Sequence, residues 1–444
     1  MNGRNKQYSL AWCVFLLALP LPALPFYWIL GRSRLGGYIE RRESLNEETD
    51  DLLQKVGQEL EPYRCCRPAF SYAESLTSLV PTVKNKVELY EHGEAAFEAI
   101  IDAVGEAREY ILAQFYVIRD DQAGQTFLRR LKEAARGGVR VYLYVDPLES
   151  QVSDEDTQAL QDSGVRMAWH SPGQSGSDPV QGNFRNHRKL VVVDGKLALL
   201  GGMNVGDNYL SRESQTSPWN DLFLRLQGPA VLNAQLGFFR DYYFFTGDRP
   251  ELNWEATKIE DGEATVAVFP TDPGNIWDSC GLAYVEAIGR AKSRILLASP
   301  YFLPDEKALA ALQNALLRGV EVVVLRPHKT LVRTADLAAW HYVEQLLPHG
   351  VKFFRQPEGV MHKKVMLVDD DLSLIGSANF DYRSFHLNHE LFLWIDCKTV
   401  NQRLEKILTQ EMERFQTLSK EDLSDRNLAE RLLTEAASLL VPLL

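Results

Sequence analysis

Two stretches of the chain share one spelling: HRKLVVVDGKLALLGGMN, from His187 to Asn204, and HKKVMLVDDDLSLIGSAN, from His362 to Asn379. Each sets a histidine two residues before a lysine, His187 with Lys189 and His362 with Lys364. In an extended chain such residues share one face, so the cations of each pair point together while the intervening apolar residues fill a sheet. Asp194-Gly195 and the run Asp369-Asp370-Asp371 are turn signals, and the return strands carry Asn204 and Asn379 back towards the histidines and lysines. Asp194 and Asp369 complete the signature and are counted with the catalytic set. The alternation nevertheless turns them off the His/Lys face, where they suit fixing the hairpin better than chemistry.

A single copy would read as a structurally satisfied histidine beside a solvated lysine. Histidine is scarce, nine in 444 residues, and two matching copies demand a shared task. Phosphodiester transfer fits. Charge spreads over non-bridging oxygens in its transition state, and two lysines with two asparagines supply donors from opposite sides. A neutral imidazole can attack phosphorus and form a phosphohistidine, which splits one substitution into two easier steps. The other ring, protonated, can give a proton to the departing alcohol and later take one from the incoming nucleophile. Like charges in one pocket keep one ring neutral while the other is cationic. Such a set requires neither metal nor organic cofactor. A histidine used this way needs an acceptor on its second nitrogen, and Asp221 in SPWNDLFLRL and Glu390 in HLNHELFLWI stand at related places after the two asparagines. They are expected to orient the imidazoles; the alternative is an ion pair with Arg383 or another base. His386 and His389 invite a metal reading, but no cysteine or carboxylate cluster completes one, and structural roles are expected.

The elements that position these residues are those of an α/β chain. Phe97, Ile100, Ile101 and Val104 repeat at helical spacing, YILAQFYVI is strand-like, Phe127 to Ala135 is helical, and VRVYLYVD is a strand. The order returns with LAYVEAIGRA, RILLASPYFLPD and VEVVVLRP, and LAQFYVIRD aligns with LASPYFLPD without a gap, sharing its Leu, Ala, Tyr and Asp. Alternating strands and helices imply a parallel-rich sheet. The chain is therefore a duplicated α/β unit, the first copy over residues 81–260 and the second, with a C-terminal helix, over 261–444. In that last helix Leu428, Leu432, Ala436 and Leu439 form a stripe expected to dock on the body, with membrane contact as the alternative. The run FFRDYYFF, from Phe238, reads as aromatic packing of a helix end.

Length suits two globular units, and 45% apolar with 24% charged residues supplies a sizeable core. The net charge of -12 argues against nucleic acid as a partner. Five cysteines without metal-finger spacing argue against a disulfide framework. From Leu10 to Leu30 no residue is charged, and a helix of that length spans roughly 30 Å, the hydrocarbon thickness of a bilayer. Residues 8–31 are thus expected to anchor the chain, with Phe26, Tyr27 and Trp28 as an interfacial belt. Pro20, Pro22 and Pro25 favour a kink, and a signal peptide is the alternative reading. Arg32, Arg34, Arg41 and Arg42 after the span outnumber Arg4 and Lys6 before it, which places the body in the cytoplasm. Residues 32–80 read as a connector.

The paired signatures resemble those of the phospholipase D superfamily, and NFRNHRK, PWND with GPAV, SPYFLPD, GSANFDYRSF and LNHE resemble its bacterial-type cardiolipin synthases. The apolar stretch from Ala11 to Gly31 is similar to that family's second membrane segment, and the terminal PLL to its ending; the usual first segment has no counterpart, leaving one span. The resemblance covers nearly the whole chain. It implies two domains about a pseudo-twofold axis sharing one site, an inner (cytoplasmic) membrane location, and a metal-independent reaction in which two phosphatidylglycerol molecules give cardiolipin and glycerol. It implies His187 as nucleophile, His362 as acid and base, phosphate binding by Lys189, Lys364, Asn204 and Asn379, and assistance from Ser384. A hydrolytic phospholipase D shares every one of these residues, and the signature does not separate the two. A superfamily nuclease is disfavoured by the charge and the anchor, and a non-catalytic lipid-binding scaffold by the completeness of both motifs.

Overall fold

The computed structural model describes residues 35–170, 183–214, 216–274 and 277–443, with 13, 15–17 and 20–27. The strands of the first half are β1 (Thr82–Tyr90), β2 (Tyr110–Phe115), β3 (Arg140–Val145), β4 (Arg166–Trp169), β5 (Arg185–Asn186), β6 (Leu190–Val193), β7 (Leu197–Gly201), β8 (Trp219–Asn220) and β9 (Phe223–Gln227). Those that follow are β10 (Ala264–Thr271), β11 (Arg294–Ala298), β12 (Phe302–Leu303), β13 (Glu321–Pro327), β14 (Lys352–Gln356), β15 (Val360–Met361), β16 (Val365–Val368), β17 (Leu372–Gly376), β18 (Phe380–Asp381), β19 (Asn388–Asp396) and β20 (Gln416–Thr417).

The duplication is visible in the sheet order. From one edge it runs β4-β3-β2-β6-β7-β9-β1, and from the other, inside β20, β14-β13-β11-β16-β17-β19-β10; the halves join where β1 pairs antiparallel with β10. Along these two runs β2, β3 and β4, and likewise β11, β13 and β14, are parallel; the other parallel pairs are the two-residue contacts of β5 with β19, β8 with β15 and β12 with β18. The signature hairpins β6–β7 and β16–β17 are antiparallel, so the sheet is mixed rather than parallel throughout. β2 is buried on both faces, and its run is apolar except at Gln114, whose side chain donates to Asn186 and Asp241. Helices Gly93–Glu106 and Gln122–Arg136 bury Phe97, Ile100, Phe127 and Leu131 against one face. The opposite face is continuous across the halves: Leu112 and Leu190 share a core with Leu296, Val365 and Leu393. Helix Val231–Thr246 closes that core from the first half and helix Lys398–Met412 from the second, with Phe238, Tyr242, Leu404 and Leu408 among the buried residues. The aromatic run is accounted for by this packing, Phe238 stacking on Tyr242 and Phe239 on Tyr243.

The connector is not a free stalk. Helix Leu35–Leu60 buries Val56 and Leu60 with Val80 and Leu232, and Arg42 reaches Asp241 at 2.9 Å. Most of the expected anchor, residues 8–31, lies outside the described residues; Pro20–Phe26 is helical, and no helix among the described residues is long and apolar enough to cross a membrane. The C-terminal helix Leu428–Ser438 corrects one expectation. It docks through Thr434, Ala437 and the following Val441, which are small enough to lie against Ala335, Ala338 and Ala339, while Leu428, Leu432, Ala436 and Leu439 face outwards.

Candidate active site

Two very short cross-half pairings build the site. β5 runs parallel to the start of β19, with Arg185 opposite Asn388 and Asn186 opposite His389. β15 runs parallel to β8, with Val360 opposite Trp219 and Met361 opposite Asn220. The next residue of each strand extends its ladder: the His187 N–H donates to the His389 carbonyl at 2.9 Å, and the His362 N–H to the Asn220 carbonyl at 2.7 Å. Each histidine therefore arrives beside the carboxylate of the opposite half. His187 Nδ1 lies 3.0 Å from both oxygens of Glu390, and His362 Nδ1 lies 2.7 Å from Asp221 Oδ2. With Nδ1 so engaged, Nε2 of each ring makes no hydrogen bond among the described residues and is left for substrate. Arg383, the alternative partner for these carboxylates, instead binds Asn183, its Nη1 donating to the side-chain oxygen and Nη2 to the carbonyl, each at 2.9 Å.

The lysines fold back on their own histidines. Lys189 Nζ donates to the His187 carbonyl and Lys364 Nζ to the His362 carbonyl, both at 2.5 Å, and Lys364 Nζ also lies 2.9 Å from His362 Nδ1. All four residues sit in extended segments just before β6 and β16, so the hairpins aim them without enclosing them. Between each histidine and its lysine the third side chain turns inwards. Arg188 pairs with Asp241 at 2.5 Å and donates to the Glu390 carbonyl at 2.9 Å, while Lys363 pairs with Glu411 at 2.6 Å. These buried ion pairs tie the signature segments to the two core helices.

The carboxylates are held differently. Glu390 accepts from Ser377 Oγ at 2.5 Å, Ser384 Oγ at 2.8 Å and Asn388 Nδ2 at 3.1 Å. Asp221 accepts from the Leu222 N–H at 2.8 Å and Trp219 Nε1 at 3.4 Å. Gly202 and Ser377 hold equivalent places in GGMN and GSAN. A Cβ on Gly202 would lie 2.2 Å from Asp221 Oδ1, so one half makes room for its carboxylate where the other offers it a hydroxyl.

Electrostatics follow from burial. It pushes both imidazoles down to about 4; Glu390 opposes this at His187 and Asp221 at His362, while Lys189 and Lys364 both add to it at each ring. Each ring thus feels the lysine of the other half, which places the six groups in one field. Burial also lowers Lys364, to about 8, and carries Lys189 well below the usual ammonium range. Burial pushes the two carboxyls up, but Lys364 and His362 at Asp221, and His187 and Lys189 at Glu390, outweigh it and hold both below the ordinary range. At neutral pH the site therefore pairs charged carboxylates with neutral rings.

Three of the expected site residues lie elsewhere or act indirectly. Asp194 and Asp369 sit at the far ends of β6 and β16, roughly 20 Å of extended chain from the histidines. Asp194 accepts the N–H groups of Arg108, Glu109 and Tyr110, and Asp369 those of Lys292, Ser293 and Arg294, so both clip the hairpin turn to the start of a neighbouring strand. Ser384 is buried behind Glu390, and its hydroxyl also accepts the Asn379 N–H at 3.1 Å, so it supports the carboxylate instead of meeting substrate. The asparagines differ too. Asn204 is bonded to the Val117 N–H and to the Tyr209 hydroxyl, whereas Asn379 Oδ1 is buried with no hydrogen-bond partner among the described residues.

Sequence reasoning missed Tyr116 and Trp219. The Tyr116 ring stands edge-on to His187 at 5.3 Å and beneath Lys189 Nζ at 5.4 Å, and Trp219 tilts over His362 at 4.9 Å. Trp219 stands two positions before Asp221 in SPWND, which was a usable signal, whereas Tyr116 lies in the repeat stretch LAQFYVIRD, far along the chain from His187. His386 binds Asp305 at 3.0 Å and His389 lies buried 3.4 Å from Asp241, each in an ion-pair setting.

The mixed sheet, its internal repeat and the pooling of one His-x-Lys pair from each half define a phospholipase D-like enzyme. The overall fold is similar to that of phosphatidylserine synthase from Haemophilus influenzae, with a TM-score of 0.63 at 15% identity, covering 85% of this chain and all of that one. A family profile described as "Cardiolipin synthase, PLD-like domain" matches residues 100–216 and 284–412. The chain is 36% identical to cardiolipin synthase A of Pseudomonas putida over 99% of its own length and 94% of the relative's, and 38% identical to that of Pseudomonas aeruginosa over 88% and 82%. It belongs to the cardiolipin synthase family.

Proposed function

We propose that the chain joins two phosphatidylglycerol molecules into cardiolipin, with release of glycerol, through a phosphohistidine. The crossed histidine–carboxylate pairs carry this reading. Glu390 keeps the His187 proton on Nδ1, so Nε2 presents a lone pair to phosphorus. As the N–P bond forms and the bond to glycerol breaks, His362, which takes up a proton on Nε2 when the phosphodiester binds, gives that proton to the departing oxygen. His362 then takes the proton of the second lipid's glycerol hydroxyl; that oxygen attacks phosphorus, and His187 leaves. Lys189, Lys364 and Asn379 meet the charge on the non-bridging oxygens. Asn204 sets the backbone on the other side, and residues 81–260 and 261–444 act as two domains sharing the site. Residues 8–31 serve as an anchor in the cytoplasmic membrane, with the body on the cytoplasmic side. Purified protein supplied with phosphatidylglycerol in detergent should form cardiolipin and glycerol in equal amounts, and both His187→Ala and His362→Ala should abolish this. Phosphatidate as the product would identify water as the acceptor and a hydrolase instead.

A further inference from the structure

The outward face of the C-terminal helix is apolar. Leu428, Leu432 and Leu439 are 74%, 62% and 81% exposed, and Leu433 and Leu440 flank them on the same side. At 100° per residue these five fall within one arc of roughly 140°, opposite the docked Thr434 and Ala437. Leaving so much leucine in water is unfavourable unless something covers it.

Its position points to what does. The neighbouring helix Arg333–Leu346 runs antiparallel to it, Ala335, Ala338 and Ala339 lying with Ala437 and Val441, and Glu344 with Arg426. Exposed Leu331 and Val332, which open that helix, therefore stand at the same end as Leu439 and Leu440. The loop that carries them follows β13, and its first residue, His328, donates its N–H to the Gln356 carbonyl; the Gln356 side chain in turn accepts from Asn220, next to Asp221. The end of the C-terminal helix packs with Tyr301 and Tyr382 and against helix Tyr382–His386, which supplies Ser384 to Glu390. Both apolar elements thus lie on the side of the sheet where β11 and β13 end and the histidines sit. The first half repeats the device: β3 is followed by Asp146, which accepts the Asn186 N–H, and exposed Leu148 comes two residues on. The tip itself reads HKTLVR, so exposed Lys329 and Arg333 flank Leu331 and Val332 with no acid among them, in a chain of net charge -12. Apolar side chains flanked by cations match the acyl boundary beneath anionic headgroups.

We propose that the Leu428–Leu440 stripe and the Leu331–Val332 tip insert into an anionic phospholipid leaflet, seating the mouth of the site on the bilayer. Lipids then reach the histidines without exposing their chains to water. The proposal rests on the phosphatidyl-transfer reading for what is delivered, but the contact can be measured without turnover.

The full chain in vesicles of phosphatidylglycerol and phosphatidylethanolamine, carrying an apolar photoreagent dissolved in the bilayer, should be labelled within 428–440 and 328–333. The Leu428→Ser/Leu432→Ser/Leu439→Ser variant should lose that labelling and form cardiolipin about tenfold more slowly in vesicles, yet keep its rate in detergent micelles within about twofold. Absence of labelling from both segments of the unaltered chain would overturn the proposal, as would a variant rate in vesicles equal to the parent's. Shielding of the stripe in lipid-free micelles that grows with protein concentration would assign the face to a second copy, and would also overturn it. Failure of the transfer reading looks different: no cardiolipin in micelles from the unaltered chain, with labelling intact.

Discussion

Glu390 holds His187 from the opposite half of the molecule, both carboxylate oxygens 3.0 Å from Nδ1. Asp221 returns the arrangement at His362. Neither half contains a complete histidine–carboxylate pair, so the two signatures work only as one site. The dependence reaches the backbone, since the ladders that seat each histidine also cross between halves.

Replacing a carboxylate should therefore disable the ring of the other half. Glu390→Gln and Asp221→Asn should each lower turnover by roughly 10³- to 10⁴-fold, the cost of losing the correct tautomer in a triad-type site. Glu390→Gln should suppress formation of the covalent intermediate on His187. Asp221→Asn should act at His362 and slow proton delivery, which a substrate with a better leaving group would partly rescue. Rapid-quench measurement of both steps distinguishes the two defects.

Gly202 and Ser377 should respond unequally to alanine. At Gly202 the new Cβ meets Asp221 Oδ1 and displaces the carboxylate from His362, so turnover should fall by roughly 10²-fold or more. At Ser377 one of the three side-chain donors to Glu390 other than His187 disappears, a loss of about 1.5 kcal/mol and so about tenfold. Comparison of kcat for the two variants checks the difference.

The site should take up protons when it binds an anion. Burial leaves both rings near 4 and Lys364 near 8, so at pH 7 the imidazoles are neutral, and an entering phosphodiester raises them. Calorimetric titration with a non-hydrolysable phosphonate ester, repeated in buffers of different ionisation enthalpy, should show uptake of about one proton. Without ligand the same depression acts on stability. Between 6.5 and about 4 the unfolded histidines bind protons that the folded ones refuse, so stability falls as pH drops through that window. His187→Asn with His362→Asn should flatten that fall in a thermal melt.

Asp241 carries a buried network, pairing with Arg188 and with Arg42 of the connector helix. Asp241→Asn leaves guanidinium charge buried without its partner and should cost about 3–5 kcal/mol of stability. Denaturant unfolding of the variant measures it.

The signatures, their hairpins and the duplicated α/β order were legible because they follow local spacing, apolar runs and turn residues. The crossing was not. β5 and β8 are two residues long and carry no periodic signal, and which carboxylate meets which ring depends on the register between the halves. Asp194 and Asp369 belong to the signature by spelling, yet the length of the hairpin strand carries them away from the site. Ser384 follows the same logic, since only the fold shows that its hydroxyl is spent on Glu390. The leucine stripe of the last helix had the right period, but period alone does not say which side of a helix faces the body, and there the smaller Thr434 and Ala437 made the contact.

The central claim is that one ring bonds to phosphorus while its counterpart moves the proton. Rapid acid-free quenching of the enzyme with phosphatidylglycerol labelled at phosphorus, followed by peptide mapping, tests it most directly. A base-stable, acid-labile label on His187, absent from His187→Asn, is the predicted result. A label on a serine, or equal labelling of His187 and His362, would contradict it.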